Sequence, residues 1–270
     1  MTQTSATLWC YHSVSDGFAP GDAITNERAQ KLSATPATKI EIAHANVLMF
    51  NNSWISVSPP EFRVALLSRT LWRRYDPGDV LARSGDTAAD IFGLASGTMA
   101  FATDKGPPNT RLTHIMHPGD WFGVVPILTG GGRSGEISLR TSGLVARVPG
   151  AAIEAMTAEH PCWWREIGRL SVMFAQVAAG AAADLMIADN RQRCAATLLR
   201  LAGVRHRNGI AGPGPVVAQL GHDELGAVAN LSRNSVGRIL KELETSGLVS
   251  IAYRAITLLN SAALRQMVDS

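Results

Sequence analysis

The chain is poor in cysteine and has no long apolar run. Its three cysteines, Cys10, Cys162 and Cys194, lie far apart, so they offer neither a disulfide framework nor the ligand spacing of a zinc or iron–sulfur site. No apolar stretch reaches the length that spans a bilayer. The N-terminus also lacks a basic stretch followed by an apolar core, which is the pattern of a secretion signal. We therefore expect a cytoplasmic protein with no metal site.

Motifs of the common enzyme classes are missing as well. The sequence contains no Ser/His/Asp order, no metal-binding spacing and no phosphate-binding loop with a lysine. We predict no catalytic residues and no resident cofactor, and we expect that the protein is not an enzyme.

Positive charge is concentrated towards the C-terminus. Residues 190–270 hold ten Lys/Arg and five Asp/Glu, a net of +5, whereas the remainder holds 15 and 17, a net of −2. A basic segment on a near-neutral body is typical of a protein that contacts nucleic-acid phosphates with one end.

Residues 232–241, Ser-Arg-Asn-Ser-Val-Gly-Arg-Ile-Leu-Lys, carry the most specific pattern in the chain. Ser232 is a good N-cap for a helix. An apolar face at helical spacing follows, made of Val236, Ile239, Leu240 and Leu243. Arg233, Asn234 and Arg238 lie on the first turns, where they can enter the DNA major groove; Arg reads guanine there and Asn reads adenine.

The flanking residues complete a winged helix-turn-helix. A short helix is predicted at 222–229, and the three residues 230–232 link it to the next helix. Gly247 is expected to end that second helix. Two β-prone runs, 248–252 and 255–259, predict a small hairpin wing.

Residues 219–259 resemble the winged-helix domain of the cyclic-AMP receptor/fumarate-nitrate regulator (Crp/Fnr) superfamily of bacterial transcription regulators. The run Leu-Ser-Arg-x-Ser-Val-Gly-Arg-Ile-Leu-Lys-x-Leu-Glu, which begins at Leu231, carries the resemblance. It implies that Arg233 and Arg238 read bases of double-stranded DNA and that RNA polymerase is a partner. Asn234 stands where well-known members carry Glu, which suggests a different half-site. Residues expected to contact phosphates or cap helices are Ser232, Ser235, His222 and Lys241.

Between Arg74 and Pro149, short β-prone runs alternate with turns rich in glycine, proline and aspartate. Such punctuation predicts a β-sandwich or barrel. Tyr-x-Pro-Gly-Asp-Val-Leu at 75–81 and His-Pro-Gly-Asp-Trp-Phe-Gly at 117–123 resemble the cyclic-nucleotide-binding jelly roll of the same superfamily. The expected fold class is α+β, with an N-terminal jelly-roll β-domain, a long dimerisation helix and a C-terminal winged helix-turn-helix.

The resemblance also implies where the family binds a cyclic nucleotide. A Glu after a glycine takes the ribose, an Arg-Ser pair takes the phosphate, and a Thr-Ser pair holds the base. Here Gly123 and the pair Arg133 and Ser134 match, but Val124 replaces the Glu, and Ala178-Ala179 replace Thr-Ser. Because each lost hydrogen bond costs about 1–3 kcal/mol, we predict no tight binding of cyclic AMP.

Two interpretations of Arg133 stay open. Consecutive backbone N–H groups at 130–134, together with the arginine, can hold a small anionic effector. Alternatively, Arg133 pairs with a nearby acid such as Glu136 and the pocket is vestigial. A haem sensor would need His114, Met116 or His117 as axial ligand, but a strand histidine is more often a surface or packing residue.

A long helix is predicted from about residue 161 to 188. Its apolar positions step by three and four, as in a two-stranded coiled coil: Trp163, Ile167, Leu170, Phe174, Val177, Ala181, Asp184 or Leu185, and Ala188. We interpret this seam as the contact of a homodimer; the alternative is a helix packed on its own domain. Asp189 is expected to cap the next helix, which makes 188–190 the hinge.

The N-terminal segment has no sustained pattern. We predict a flexible arm over 1–53, in which 39–50 forms one strand or a short helix, followed by a helix over 54–72. Removing 48 residues from 270 leaves 222, so a second hypothesis starts the native chain at Met49; an intact mass tests it. The expected domains are 1–53 for the arm, 54–160 for the jelly roll, 161–188 for the dimerisation helix and 189–270 for the winged helix.

Together these features favour a homodimeric transcription regulator that binds a pseudo-palindromic site. Its two dimer arrangements would differ across the 188–190 hinge. The alternative is a ligand- or signal-sensing module that uses the helix-turn-helix only as an interaction surface. That alternative predicts weak DNA association without sequence preference.

Overall fold

Residues 34–104, 110–205 and 214–270 are described by a computed structural model of the chain. The described strands are β1 (Thr35–Pro36), β2 (Leu71–Tyr75), β3 (Val80–Ala82), β4 (Ile91–Ser96), β5 (Met99–Asp104), β6 (Thr110–Met116), β7 (Trp121–Phe122), β8 (Gly135–Leu139), β9 (Gly143–Val148), β10 (Val216–Ala218), β11 (Val249–Ala252) and β12 (Ala255–Leu258). The described α-helices are α1 (Lys39–Asn52), α2 (Pro60–Ser68), α3 (Val124–Thr129), α4 (Gly150–Glu159), α5 (Trp164–Met186), α6 (Asn190–Leu201), α7 (His222–Ala229), α8 (Arg233–Thr245) and α9 (Ser261–Asp269).

Two antiparallel sheets bury their inner faces against each other in the middle of the chain. One sheet has the strand order β1-β2-β9-β4-β7, and the other has the order β3-β8-β5-β6. Their shared core includes Phe92 of β4, stacked 5.2 Å from Phe122 of β7, and Met99 and Ile137 of the second sheet. The expected jelly-roll β-domain is confirmed, because alternating side chains of short strands supply this core.

Helix α1 lies within the segment predicted as a flexible arm. Thr38 and Glu41 form a capping box at its start, and Ala45 and Met49 are buried. Of the two elements predicted for residues 39–50, one strand or a short helix, the structure has the helix, which runs over Lys39–Asn52; the first 33 residues of the arm lie outside the described part of the chain. The sequence could not decide between strand and helix here because Ile40 and other apolar residues are exposed, so no apolar stripe is visible. A chain starting at Met49 would lack the cap and most of α1.

The helix predicted over 54–72 is divided. A 3-10 turn, Trp54–Val57, precedes α2, which begins with Pro60 at its first position, where a missing N–H costs nothing. The chain then enters β2, so Trp72 is a buried strand residue and not a helical one. The 3-10 turn, α2 and the start of β2 follow one another within a few residues. Their apolar side chains together therefore resemble the spacing of one continuous helix.

The long helix is confirmed, but the first part of the predicted seam on it faces inward. A 3-10 turn, Pro161–Trp163, leads into α5. Trp163, Ile167 and Leu170 are buried in the same cluster as Phe62, which lies 5.6 Å from the Trp163 ring. These residues therefore pack on their own β-domain, which was the alternative interpretation. Within the described residues, no helix is both long and apolar enough to cross a membrane.

The C-terminal elements form a winged helix-turn-helix around one core. Strands β10, β12 and β11 pair as a three-stranded antiparallel sheet. The predicted apolar face of α8 is fully buried: Val236, Ile239, Leu240 and Leu243 are each at most 3% exposed. Helix α9, which the sequence did not reveal, adds Leu264 and Val268 to this core.

The end of α5 is joined to the winged-helix part by a buried carboxylate. Asp184 is fully buried, and its oxygens lie 3.1 Å from Arg200 Nε and 2.6 Å from Arg205 Nε. Arg200 also donates to the carbonyl of Thr113 in β6 at 3.2 Å. Burial lowers the pKa of Arg200, and the charge of Asp184 opposes that shift. Asp184 is thus a structural residue and not the seam position suggested by its spacing.

We expect Asp184→Ala to lower the free energy of unfolding by about 3–5 kcal/mol, because it leaves the buried Arg200 without its carboxylate. The control is Asp223→Ala, whose carboxylate is exposed and should contribute less than about 1 kcal/mol. Urea unfolding followed by tryptophan fluorescence measures both. Equal, small losses in the two variants would contradict a structural role for Asp184.

Candidate DNA interface and ligand pocket

The two helices of the helix-turn-helix meet as the sequence predicted. Helix α7 ends at Asn230, which adopts a left-handed conformation with φ of 53°, and Leu231 N–H donates to the Gly226 carbonyl at 2.8 Å. A Cβ on Gly226 would lie 2.7 Å from the Leu231 oxygen, so only glycine allows this close turn. The Ser232 hydroxyl then accepts from the Ser235 N–H at 3.1 Å and caps α8.

The solvent-facing side of α8 carries two of the three predicted base-reading residues, Asn234 and Arg238, together with Lys241, a predicted phosphate contact or cap. Because the buried positions occupy one side of the helix, three positions spaced four and three apart on the other side are exposed. We call Asn234, Arg238 and Lys241 the reading face. Lys241 Nζ lies 2.8 Å from Glu244 Oε2, an exposed pair. These three side chains project from the helix surface opposite the core, which is the surface that a major groove would receive.

Arg233 lies at the edge of the reading face. Its guanidinium is 3.3 Å from the carboxylate of Asp223 on α7, and each side chain is 70% exposed. Such an exposed pair contributes little to stability, so Arg233 can exchange this partner for another acceptor. His222 is half-buried and lies over α8, where a Cβ on Gly237 would be 3.7 Å from its Nδ1. Ser232 and Ser235 share a hydrogen bond of 2.9 Å between their hydroxyls.

The wing adds candidates that the sequence reasoning did not single out. Strands β11 and β12 meet at Tyr253 and Arg254, and Arg254 has a left-handed φ of 52°. Tyr253 is 92% exposed. Arg254 Nη2 lies 3.9 Å from Glu224 Oε2 on α7. A cation at a hairpin tip was visible in the sequence as Tyr-Arg between two β-prone runs.

At the position where the resemblance places the phosphate-binding arginine, Arg133 is bonded within the β-domain itself. Arg133 is only 7% exposed, and its Nη2 donates to the carbonyls of Ala88 and Asp90 at 2.7 and 2.8 Å. Its Nη1 lies 3.4 Å from the Gly123 carbonyl. A Cβ on Gly123 would be 2.8 Å from that nitrogen, so the glycine leaves room for the guanidinium. Burial lowers the pKa of Arg133, and the charges of Asp90 and Asp86 oppose this shift.

The predicted ligand residues are therefore brought together only in part. Gly123 and Arg133 are in contact, whereas Ser134 is exposed. The interpretation that Arg133 pairs with Glu136 is wrong, because Glu136 pairs with Arg83 at 2.9 Å. Val124 is buried at the position where the family carries a ribose-binding Glu. The two terminal nitrogens of Arg133 already donate to backbone carbonyls.

The residues considered for haem lie in different environments. Met116 is buried in the core between the sheets. His117 Nε2 lies 2.9 Å from the Leu201 carbonyl, at the contact between the β-domain and α6.

Cys194 is buried, and burial raises the pKa of its thiol to about 12, which keeps it protonated and unreactive.

We expect no binding of cyclic AMP tighter than about 0.1 mM, because Arg133 is internally bonded and Val124 offers no acceptor for the ribose. Isothermal titration of the purified chain with cyclic AMP measures this, with cyclic GMP titrated in parallel as a control for base-independent binding. A dissociation constant in the micromolar range would overturn this interpretation of the pocket.

Comparisons with known proteins match both parts of the chain. The family model of the cyclic nucleotide-binding domain matches residues 72–160, and that of the Crp-like helix-turn-helix domain matches residues 192–267. The cAMP-activated global transcriptional regulator CRP of Salmonella typhimurium is 24% identical over 191 residues, which cover 70% of this chain and 90% of the relative. Transcriptional regulator LdrP of Thermus thermophilus is 26% identical over 204 residues, which cover 73% and 97%.

A solved structure supports the same fold. FixK2 from Bradyrhizobium japonicum superposes with a TM-score of 0.61 at 17% identity, covering 73% of this chain and 96% of that one. At this identity the likeness establishes the arrangement of β-domain, long helix and winged helix, and leaves the chemistry of the pocket to the residues themselves.

Proposed function

Because the chain belongs to the Crp/Fnr superfamily of transcription regulators, we propose that it binds a pseudo-palindromic DNA site as a homodimer and needs no cyclic AMP to do so. The relatives are transcription regulators, a class of proteins that are not enzymes. Its partners would be double-stranded DNA, a second copy of the chain and RNA polymerase, which places its work in the cytoplasm.

The reading face is the observation that carries this proposal. An Asn and an Arg stand one turn apart on the exposed side of a capped helix, and the helix is held rigidly by four buried residues on its other side. Asn234 suits adenine and Arg238 suits guanine, since each can make two hydrogen bonds to a base edge. Arg233 would join them once it leaves Asp223. His222 and Lys241 would contact phosphates, while Ser232 and Ser235 cap the helix.

A second seam on α5 supports the homodimer. Its positions step by three and four on the side away from the β-domain, and all are exposed. We call this the exposed seam: Val172, Ala175, Ala179, Ala182 and Met186. Met186 is 84% exposed and Val172 is 57% exposed, and they lie in line with three alanines on one helix face, so the seam is a continuous apolar strip that a partner helix could cover. Small residues along the middle would let two helices approach closely.

A two-fold dimer along this seam would present two recognition helices to one side of the DNA. Such dimers bind half-sites about one helical turn, roughly 34 Å, apart. Helix α5 ends at Met186, and Asp189 caps α6 by accepting from Gln192 N–H at 2.8 Å. The short link between them is where the angle of the winged-helix part would be set.

The state of Arg133 supports DNA binding without a nucleotide. In this fold a ligand acts only through a difference in affinity between two arrangements. Here the phosphate-binding position is satisfied by backbone carbonyls of the β-domain itself. A small anionic effector would have to displace those bonds, so we favour the internally closed pocket over the anion site.

Arg238→Ala is expected to weaken binding to the cognate site by about 1–3 kcal/mol and to relax specificity at one base position, because a base contact is lost. Lys241→Ala is the matched variant one turn away. It should weaken binding about equally on all sequences. It should also lower the salt slope, the slope of log affinity against log salt concentration, by about one, as expected for a phosphate contact. Sequence selection from randomised DNA, followed by affinity measurements at several salt concentrations, separates the two.

An equal loss on all sequences for Arg238→Ala would support the alternative, in which the helix-turn-helix is only an interaction surface. Failure of the unaltered chain to select any motif, with or without cyclic nucleotides, would count against the proposal as a whole.

Val172→Glu should convert the dimer to a monomer, because it introduces a charge into the apolar contact between two facing seams. Val64→Glu is the control, since Val64 on α2 is about as exposed, at 60%, and lies away from the exposed seam. Sedimentation velocity at micromolar concentration gives the mass of each variant. A dimeric Val172→Glu chain would refute the seam.

A further inference from the structure

Among the contacts between the winged-helix part and the β-domain, one arginine makes several bonds that reach the helix-turn-helix itself. Arg140, in the turn between β8 and β9, donates from Nε to the Gln219 carbonyl at 2.8 Å. Its two terminal nitrogens donate to the two carboxylate oxygens of Glu224 at 2.8 and 3.0 Å. Glu224 lies in the first turn of α7, the first helix of the helix-turn-helix. This paired geometry is the strongest that an arginine and a carboxylate can make.

The turn that presents Arg140 is itself fixed. Arg140 N–H donates to the Thr98 carbonyl at 2.9 Å, and Thr98 N–H donates to the Thr141 hydroxyl at 2.9 Å. A Cβ on Gly97, which has φ of +84°, would lie 2.6 Å from the Ser142 carbonyl, so the two turns touch. The guanidinium therefore extends from a rigid part of the sandwich and not from a loose loop.

Glu224 is the point at which this contact reaches the DNA-binding elements. It accepts from the Gly221 N–H at 2.9 Å and so caps α7, and Arg254 of the wing lies beside it. Burial raises the pKa of Glu224, but hydrogen bonds from Arg140 and Gly221 outweigh burial and leave its pKa below the ordinary value. The carboxylate is thus charged at neutral pH and available to both arginines.

The reading face remains open in this arrangement. Asn234, Arg238 and Lys241 are exposed while Arg140 holds α7. The contact therefore orients the helix-turn-helix without covering it. Side-chain exposure is 15% for Arg140 and 26% for Glu224, against 48% and 29% for the Arg83–Glu136 pair on the sandwich. The less solvated pair holds its partners more firmly.

We infer that Arg140 is a positioning residue for DNA recognition, which fixes the angle of the recognition helix through Glu224. This inference rests on the proposed binding to a two-fold DNA site. Both helices of a dimer must reach their half-sites together, so any loss of orientation in one protomer is repeated in the other. If the helix-turn-helix samples many orientations, only a fraction of the chains can bind DNA at any moment, and the apparent affinity falls in proportion to that fraction.

The test compares Arg140→Gln with Arg83→Gln, which removes the same charge from an Arg–Glu pair lying wholly in the sandwich. Arg140→Gln should weaken binding to the selected DNA site at least about fivefold, and Arg83→Gln should not. Glu224→Gln removes the carboxylate that Arg140 binds but keeps an oxygen that can accept from the Gly221 N–H. The double variant Arg140→Gln/Glu224→Gln should therefore lose little more DNA affinity than either single variant, because both changes break the same contact. The salt slope should be unchanged, because Arg140 contacts no phosphate.

A measurement without DNA reports the orientation directly. Spin labels at Thr87 and Ser246, in a chain with Cys10 and Cys162 replaced by serine, give the distance from the sandwich to the end of α8. The labelled chain is mixed with an excess of unlabelled chain, so that a dimer carries at most one labelled protomer and every measured distance lies within one protomer. The distribution should be narrow in the Arg83→Gln control and broad in Arg140→Gln. Labelled chains must first match the unlabelled chain in affinity.

Two results would overturn the inference. The first is an Arg140→Gln chain that matches the Arg83→Gln control in both distance distribution and affinity. The second is a salt slope lowered by about one, which would make Arg140 a phosphate contact. If the unaltered chain selects no DNA site, the proposed function fails; the distance measurement still decides whether Arg140 fixes the orientation.

Discussion

The arrangement of the molecule depends on the buried ion pair between Asp184 and Arg200. Asp184 comes from the end of the long helix, Arg200 from the first helix of the winged-helix part, and the same guanidinium reaches the Thr113 carbonyl of the sandwich. Three parts of the chain therefore meet at one charge. Because a buried pair is favourable only when its geometry is nearly ideal, it tolerates few relative positions of those parts. Its value lies in specifying an arrangement more than in adding stability.

Features encoded in adjacent residues could be predicted from the sequence. The Ser232 cap, the short link that begins at Asn230 and the two-residue tip of the wing each depend on local chemistry, and the structure has them at the predicted positions. The β-domain was predictable for the same reason, since glycine, proline and aspartate mark the turns between its short strands. The base-reading roles of Arg233, Asn234 and Arg238 follow from that local pattern and stay predictions.

Features that depend on distant partners could not be predicted. Both faces of α5 repeat at three and four residues, so periodicity alone could not tell which face meets the β-domain; large side chains such as Trp163 suggested the wrong one. Arg140 and Glu224 are separated by 84 residues and carry no shared motif. The family resemblance assigned Arg133 and Gly123 to one ligand site, and the two residues are in contact. The bonds of Arg133 to backbone carbonyls could not be predicted, because every residue has a carbonyl and no side chain marks the ones that accept.

The exposed seam is made largely of alanine, and this composition has a consequence for how the regulator would respond to its own abundance. Each alanine contributes one methyl group, so burying the seam gains only about 0.8 kcal/mol per group. A dimer held this way would dissociate at low concentration. Occupancy of the DNA site would then rise with the square of chain concentration below the dimer dissociation constant. A modest change in expression would give a disproportionate change in transcription, with no small molecule involved.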